Sequence, residues 1–202
     1  MLTQNLISNP ILILGFVISF LVAFTVHEFG HAYIAHKLGD NTAKINGRLS
    51  LNPLVHLDII GTISLVLFGL GWGKPVPINP NNFKNPKIDS LKVALAGPFS
   101  NLIAVILFSL ILRFIPLGAL FASILYLMIE INIVLMIFNL IPIPPLDGSN
   151  ILSAILPDSY NEAIQELSLP LFIAFIIFAL STNYLSQFIS ITTNFFLNIL
   201  FK

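Results

Sequence analysis

The sequence predicts an all-α polytopic membrane protein, and its composition and hydropathy pattern are the first reasons. Hydrophobic residues make up 56% of the 202-residue chain and charged residues only 9%, whereas about 25% of the residues in a soluble domain are charged. Several uncharged runs also approach the roughly 20 residues that a membrane-spanning helix needs. The length favours a single domain over residues 1–202, embedded in a lipid bilayer.

The chain contains no cysteine and has zero formal net charge. Disulfides, thiolate metal ligands and a cysteine nucleophile are therefore excluded. Any metal ion must be held by histidine, aspartate, glutamate or asparagine. The balanced charge gives no indication of a nucleic-acid partner, and we expect none.

Apolar runs in the sequence predict about five membrane spans. The first three are expected at residues 11–37, 93–112 and 116–140. Residues 167–201 contain no charged side chain and can hold two shorter spans that turn near residues 181–183.

Two further segments complete the predicted fold. Residues 59–71 are apolar but number only 13, which is short for a span and predicts a re-entrant segment. Before this segment, Asn46 and Gly47 separate two short alternating runs in "AKINGRLSL". Such an Asn-Gly pair is typical of a β-hairpin, so we expect a small hairpin here.

The positions of lysine and arginine predict the orientation in the cell membrane. Seven of the nine lie between Lys37 and Lys92, so the positive-inside rule places this region on the cytoplasmic side. Residues 59–71 must then enter and leave the membrane on one side. The C-terminal end of the first span consequently faces the cytoplasm.

Three ionisable side chains lie within this first span, in the sequence His-Glu-Phe-Gly-His at residues 27–31. On a helix, His27 and His31 are one turn apart and share a face, so their imidazoles can bind one Zn²⁺ ion. Glu28 can reach a metal-bound water and act as a general base. Ionisable groups at membrane depth are costly and indicate function. The alternative is a pair of interfacial histidines beside a solvated glutamate.

A catalytic zinc site needs a third protein ligand, and Asp147 is the candidate. It stands after the third predicted span in "FNLIPIPPLDGSNIL", where three prolines prevent a regular helix and Gly148 permits a tight turn. By the predicted topology Asp147 lies at the level of His31. The alternative is that Asp147 caps a helix at residues 149–156.

The chain resembles the site-2 protease family of intramembrane zinc metalloproteases, of the short bacterial and archaeal type. The resemblance covers about residues 20–155 and rests on five motifs in order: "HEFGH", "GRLSLNPLVHLDIIGT", "GWGKPVPINPNN", "AGPFSN" and "FNLIPIPPLDG". It implies that His27, His31 and Asp147 bind one zinc ion per chain and that Glu28 is the catalytic base. It also implies an endopeptidase that cleaves transmembrane segments of membrane-protein substrates near the cytoplasmic face.

Asn101 and His56 are possible contacts to the substrate or to the oxyanion. Asn101 lies in an otherwise apolar span, where it could hydrogen-bond the scissile carbonyl or clasp a neighbouring helix. His56 could line the site, or it could bond Asp58 within its own loop. The predicted hairpin offers a strand edge that could hold an unwound substrate peptide.

The competing interpretation is a membrane zinc-binding carrier or a non-proteolytic scaffold. Carriers usually show internal repeats and ligands near the membrane midplane, and this sequence shows neither. A carrier has no need of Glu28 directly after the first histidine, and an inactive scaffold is expected to have lost Glu28 or a metal ligand. The sequence therefore predicts an enzyme.

Overall fold

The computed structural model describes residues 10–68, 72–157, 164 and 166–202. In this part of the chain, α-helices account for most of the residues and no sheet is present. The helices, numbered α1 to α8 in chain order, are Pro10–Lys37, Thr42–Ile45, Ile59–Phe68, Pro86–Phe114, Ala119–Asn139, Asp147–Ile155, Ser168–Ser181 and Tyr184–Phe201. The all-α class predicted from the sequence is confirmed.

Three long helices, α1, α4 and α5, form the body of the protein. Helices α1 and α4 approach closely at Gly30, where an added Cβ atom would lie 2.7 Å from the carbonyl oxygen of Ala96. Val105 of α4 packs with Ile129 and Ile133 of α5 in an apolar core, against which side chains of α8 also pack. Apolar packing around these helices therefore sets the distance between the elements that carry the site.

The same three helices are long and apolar enough to cross a membrane, over Ile13–Lys37, Pro86–Phe114 and Ala119–Asn139. Helices α7 and α8 pass this test only together, as a pair bent by 81°. The described residues thus hold three or four candidate spans, and the predicted five are not confirmed. Helix α7 has 14 residues, roughly 21 Å at 1.5 Å per residue, which is less than the ~30 Å thickness of the hydrocarbon core.

The two ends of the predicted re-entrant segment lie side by side. Leu57 and Gly73 form an antiparallel bridge, and the Lys74 N–H donates to the His56 carbonyl oxygen at 2.8 Å. Helix α3 lies between these two points, and residues 69–71 of the segment lie outside the described residues. Since its start and its end meet, the segment begins and finishes at one level of the protein, as the lysine and arginine positions require.

The predicted β-hairpin is not formed. Helix α2 is a single turn that ends in a Schellman motif, in which the Arg48 N–H donates to the Ala43 carbonyl at 2.8 Å and the Gly47 N–H to the Lys44 carbonyl at 3.0 Å. Gly47 has a φ of +68°, the left-handed conformation that commonly follows the last residue of a helix. The Asn-Gly pair therefore ends a helical turn, because glycine supplies the same positive φ to a hairpin turn and to a helix C-terminus.

We expect residues on both sides of the re-entrant segment to be accessible from the same side of the membrane. Asn46 and Asn81 are exposed, and Gly118 lies in the exposed turn between α4 and α5. Because the chain has no cysteine, single cysteines at these positions can be labelled with an impermeant maleimide. Positions 46 and 81 should be labelled from one side and position 118 from the other. Labelling of 46 and 81 from opposite sides would contradict the re-entrant topology.

Candidate metal centre

Two histidines on α1 and an aspartate at the start of α6 meet inside the protein. The Nε2 atoms of His27 and His31 lie 3.1 Å apart. Asp147 Oδ2 lies 3.0 Å from His27 Nε2 and 3.1 Å from His31 Nε2. Both histidines are buried and Asp147 is nearly so. The structure therefore brings together the three residues that the sequence predicted as metal ligands.

The loop after α5 directs Asp147 towards the two histidines. Helix α6 begins at Asp147 itself, and no side chain caps its N-terminus, so the alternative in which Asp147 is an N-cap is not observed. Gly148 allows the turn to close, because a Cβ atom there would lie 2.4 Å from the carbonyl oxygens of Leu140 and Ile141. The Ser149 hydroxyl donates to the Leu146 carbonyl at 2.7 Å, which fixes the first turn of α6.

Hydrogen bonds at the far side of each imidazole determine the tautomer of both histidines. His31 Nδ1 lies 2.7 Å from the Val93 carbonyl oxygen, which can only accept, so Nδ1 carries the proton. His27 Nδ1 lies 2.7 Å from Asn101 Oδ1. The Asn101 amide group donates to the Ala23 carbonyl at 2.9 Å and to Asn132 Oδ1 at 2.8 Å. With both N–H bonds used, Asn101 presents its oxygen to His27.

Three lone pairs therefore converge on one point. With Nδ1 protonated, each neutral imidazole turns an unprotonated Nε2 towards Asp147. Asp147 Oδ2 is buried and has no hydrogen-bond donor. Such a cluster of acceptors needs a cation between its members.

The spacing of the cluster fits a metal ion. Ligand atoms that bind one zinc ion at about 2.0–2.2 Å lie roughly 3.3 Å apart at tetrahedral angles. The three observed distances, 3.0, 3.1 and 3.1 Å, are within a few tenths of an ångström of that value. Two imidazole nitrogens and one carboxylate oxygen also form a ligand set suited to zinc and to related divalent metals.

Gly97 of α4 makes room for the two imidazoles. A Cβ atom at this position would lie 2.3 Å from His31 Nε2 and 2.7 Å from His27 Cε1. The glycine in "AGPFSN" therefore lets the backbone of α4 pass directly behind the site. The same helix supplies the Val93 carbonyl and the Asn101 amide, so a single element orients both histidines.

Glu28 lies beside the cluster but does not belong to it. It is only 7% exposed, and its Oε2 accepts a hydrogen bond from the Val76 N–H at 2.9 Å. Val76 belongs to segment 73–79, which follows the re-entrant segment. One carboxylate oxygen of Glu28 is thus fixed by a backbone donor.

Asn101 and His56, the two predicted substrate contacts, are both engaged in hydrogen bonds within the protein. Asn101 is fully buried and forms hydrogen bonds with His27, Ala23 and Asn132. It therefore orients a histidine and links α4 to α1 and α5. His56 is also fully buried, and its Nε2 donates to the Ser50 carbonyl at 2.8 Å. It bonds neither the cluster nor Asp58, and it stabilises the loop before α3.

Sequence reasoning missed four residues that shape the surroundings of the site. Asn132 is fully buried on α5 and holds the Asn101 amide. Asp40 and Arg48 are buried in the connection after α1, and Val76 supplies its N–H to Glu28. Two of the four, Arg48 and Val76, lie within the quoted motifs, and this was the only signal in the sequence. Their partners lie on distant parts of the chain, so no local pattern reveals the contacts.

Comparison with known proteins identifies a family. The family model described as peptidase family M50 matches residues 117–179. A Bacillus subtilis protein, putative zinc metalloprotease YwhC, is 42% identical over 170 residues, 80% of this chain and 78% of the relative. Putative zinc metalloprotease Rip2 of Mycolicibacterium smegmatis is 33% identical over 135 residues, 63% of this chain and 52% of that protein. No solved structure matches the chain.

An archaeal protein extends the comparison. Zinc metalloprotease MJ0392 of Methanocaldococcus jannaschii is 29% identical over 157 residues, 78% of this chain and 39% of that longer protein. Similarity to the Bacillus subtilis relative extends over most of both proteins. The chain therefore belongs to peptidase family M50: it is a metalloprotease with several helices of membrane-spanning length. The resemblance drawn from the five motifs is confirmed.

Gly97→Ala should destabilise the protein, by about 1–3 kcal/mol, since the new methyl group overpacks a filled site. An alanine in place of glycine within a helix normally stabilises by about 1 kcal/mol, so the direction of the change is diagnostic. Gly118→Ala is the control, because a Cβ atom there meets nothing within 4 Å. Thermal unfolding of both purified variants measures the difference. A Gly97→Ala protein as stable as the control would show that the imidazoles do not occupy this space.

Proposed function

We propose that this protein is a zinc-dependent intramembrane endopeptidase that hydrolyses peptide bonds in or near transmembrane segments of membrane proteins, as a single domain over residues 1–202. The observation that carries the proposal is the buried cluster of His27, His31 and Asp147, whose two histidines lie with Glu28 on a helix of membrane-spanning length. The relatives named as zinc metalloproteases support zinc as the metal.

His27, His31 and Asp147 would hold one zinc ion through their Nε2, Nε2 and Oδ2 atoms. Catalytic zinc sites typically have three protein ligands and keep a fourth position open. When bound, zinc supplies a Lewis acid that polarises a carbonyl oxygen and lowers the pKa of water. The contacts of Val93 and Asn101 keep both Nε2 lone pairs directed at the ion, which is the usual role of groups behind metal-binding histidines.

Glu28 is the general base in this proposal. Its Oε2 is engaged by the Val76 N–H, which leaves Oε1 to accept a proton from the attacking water. Glu28 then passes this proton to the amine nitrogen as the peptide bond breaks. One water molecule is consumed, and the carboxylate is ready for another cycle.

The position of the site along α1 supports cleavage within the membrane. His31 and His27 lie six and ten residues before the end of the helix at Lys37, roughly 9–15 Å along its axis. That depth lies inside a hydrocarbon core ~30 Å thick. A substrate that reaches it must be a transmembrane or interfacial segment, and it must be locally unwound because helical carbonyls are already hydrogen-bonded.

The charge distribution supports a cytoplasmic location for the site. Seven of the nine lysines and arginines lie between Lys37 and Lys92, around the end of α1 nearest the histidines. By the positive-inside rule this end faces the cytoplasm in a multi-pass protein of the cell membrane. The expected partners are a membrane-protein substrate and the surrounding lipids, with no role for nucleic acid.

Replacement of Glu28 separates an enzyme from a zinc carrier. Glu28→Gln keeps the size of the side chain but removes the proton acceptor, so the rate of proteolysis should fall by about 10²–10⁴-fold. Zinc content should stay at that of the unmodified protein. His31→Ala and Asp147→Ala should lose both zinc and activity, because each removes a ligand. Zinc stoichiometry and cleavage of a model transmembrane peptide should be measured on the same purified samples.

Two results would contradict the proposal. Cleavage at the unmodified rate by Glu28→Gln would exclude Glu28 as the base. Full zinc content in Asp147→Ala would show that the third ligand is another residue. A carrier would give a third pattern, in which Glu28→Gln leaves zinc transport intact and no variant cleaves the peptide.

Asn101→Leu should lower the affinity for zinc by about 10- to 100-fold, because groups that orient a metal-binding histidine contribute this much. Asn101→Asp keeps an oxygen acceptor for His27 Nδ1 and should retain more of the affinity. Asn194→Leu, an exposed asparagine on α8, is the matched control and should bind zinc as the unmodified protein does. Competition with a chelator measures all three. Equal zinc affinity in Asn101→Leu and in the control would show that Asn101 does not support the site.

A further inference from the structure

A buried arginine lies in the connection between α1 and α3. Arg48 is only 6% exposed. Its guanidinium donates to the carbonyl oxygens of Val55 and Lys74, and to that of Pro75 at 3.2 Å. All three partners are backbone carbonyls. Burying a charge costs free energy unless the charge is well hydrogen-bonded, so we expect Arg48 to have a role beyond packing.

Two of these three carbonyl groups, those of Lys74 and Pro75, belong to segment 73–79. Pro75 and Pro77 have no N–H, so this segment cannot be held by a regular ladder of backbone hydrogen bonds. The Nη2 group of Arg48 donates to the consecutive carbonyl oxygens of Lys74 and Pro75, and the Nη1 group of the same planar guanidinium donates to that of Val55. Arg48 thus fixes a stretch of backbone that its own prolines leave without donors.

A single peptide unit links Arg48 to Glu28. The Pro75 carbonyl accepts from Arg48, and the Val76 N–H, which belongs to the same planar peptide group, donates to Glu28 Oε2 at 2.9 Å. The positive guanidinium therefore lies at one end of the peptide dipole and the carboxylate at the other. Hydrogen bonds in such a chain polarise and strengthen one another.

The other end of the segment is held by Asp40. This residue is fully buried, and its carboxylate accepts from the Asn79 N–H at 2.8 Å and from the Asn82 side-chain amide at 2.7 Å. Burial would raise the pKa of Asp40, but hydrogen bonds from Thr42, Asn79 and Asn82 lower it. Val76 thus lies between two charged residues that hold the segment, Arg48 on one side and Asp40 on the other.

We propose that Arg48 is a positioning residue for Glu28: by fixing the Pro75–Val76 peptide group, it holds the Val76 N–H against the Glu28 carboxylate and so sets the orientation of the general base. The assignment rests on the proposed function in one respect, that Glu28 is the base. It also gives a role to two motifs that had none. Arg48 lies in "GRLSLNP", and its partners Lys74 and Pro75 lie in "GWGKPVP".

The test compares Arg48→Lys with Lys44→Gln. Lysine keeps the charge but cannot reproduce the planar fork, whereas Lys44 is an exposed cation four residues earlier in the chain. In Arg48→Lys, kcat should fall about 10- to 100-fold, the effect of a misplaced catalytic group. KM and zinc stoichiometry should not change. Lys44→Gln should behave as the unmodified protein.

Hydrogen exchange provides a readout that does not depend on proteolysis. Because Pro75 and Pro77 carry no N–H, exchange within residues 75–77 reports on Val76 alone. Exchange at Val76 should be faster in Arg48→Lys and in Glu28→Ala than in the Lys44→Gln control. This measurement remains informative even if the protein proves not to be a protease, so failure of the two proposals can be told apart.

A second variant tests whether Arg48 and the Val76 N–H act together. Val76→Pro removes the donor, and Val76→Ala keeps it and controls for the smaller side chain. If both residues act through one hydrogen bond, the double variant Arg48→Lys/Val76→Pro should be no slower than Val76→Pro alone. Multiplicative losses in kcat, a rise in KM alone, or unchanged Val76 exchange in Arg48→Lys would each overturn the proposal.

Discussion

Three lone pairs meet inside a bundle of apolar helices, and much of the structure follows from this one constraint. The two histidine Nε2 atoms and Asp147 Oδ2 lie 3.0–3.1 Å apart, and only a cation between them stabilises such an arrangement. Helix α4 must therefore approach closely enough for Val93 and Asn101 to bind the far side of each imidazole. Gly97 permits that approach because any side chain there would occupy the space of the rings.

The Glu28 carboxylate is held by a different part of the chain from the cluster of His27, His31 and Asp147. Helices α1, α4 and α6 orient the ligand cluster, whereas Glu28 receives its hydrogen bond from the extended segment after α3. That segment contains prolines and depends on two buried charged residues, Arg48 and Asp40, for its position. The cluster is thus built into packed helices, while the Glu28 carboxylate, the proposed general base, depends on a hydrogen-bonded loop.

Features set by neighbours in the sequence were predictable, and features set by distant partners were not. His27 and His31 share a face because of helical spacing, and Asp147 stood out as an acidic group at the end of a span. The hairpin prediction failed because Gly47 supplies a positive φ that serves a helix end equally well. The role of Asn101 depends on His27, 74 positions away in the chain, and no local pattern reveals which of its atoms accepts.

X-ray absorption at the zinc edge can determine whether His27, His31 and Asp147 together bind the metal. The purified protein should show a first shell of nitrogen and oxygen at about 2.0–2.2 Å, with scattering from two imidazole rings. His31→Ala, loaded with zinc at high concentration, should retain one ring, and Asp147→Ala should keep two while losing a light-atom ligand. Fewer than two rings in the unmodified protein, or a shell that Asp147→Ala leaves unchanged, would show that these three residues are not the ligand set.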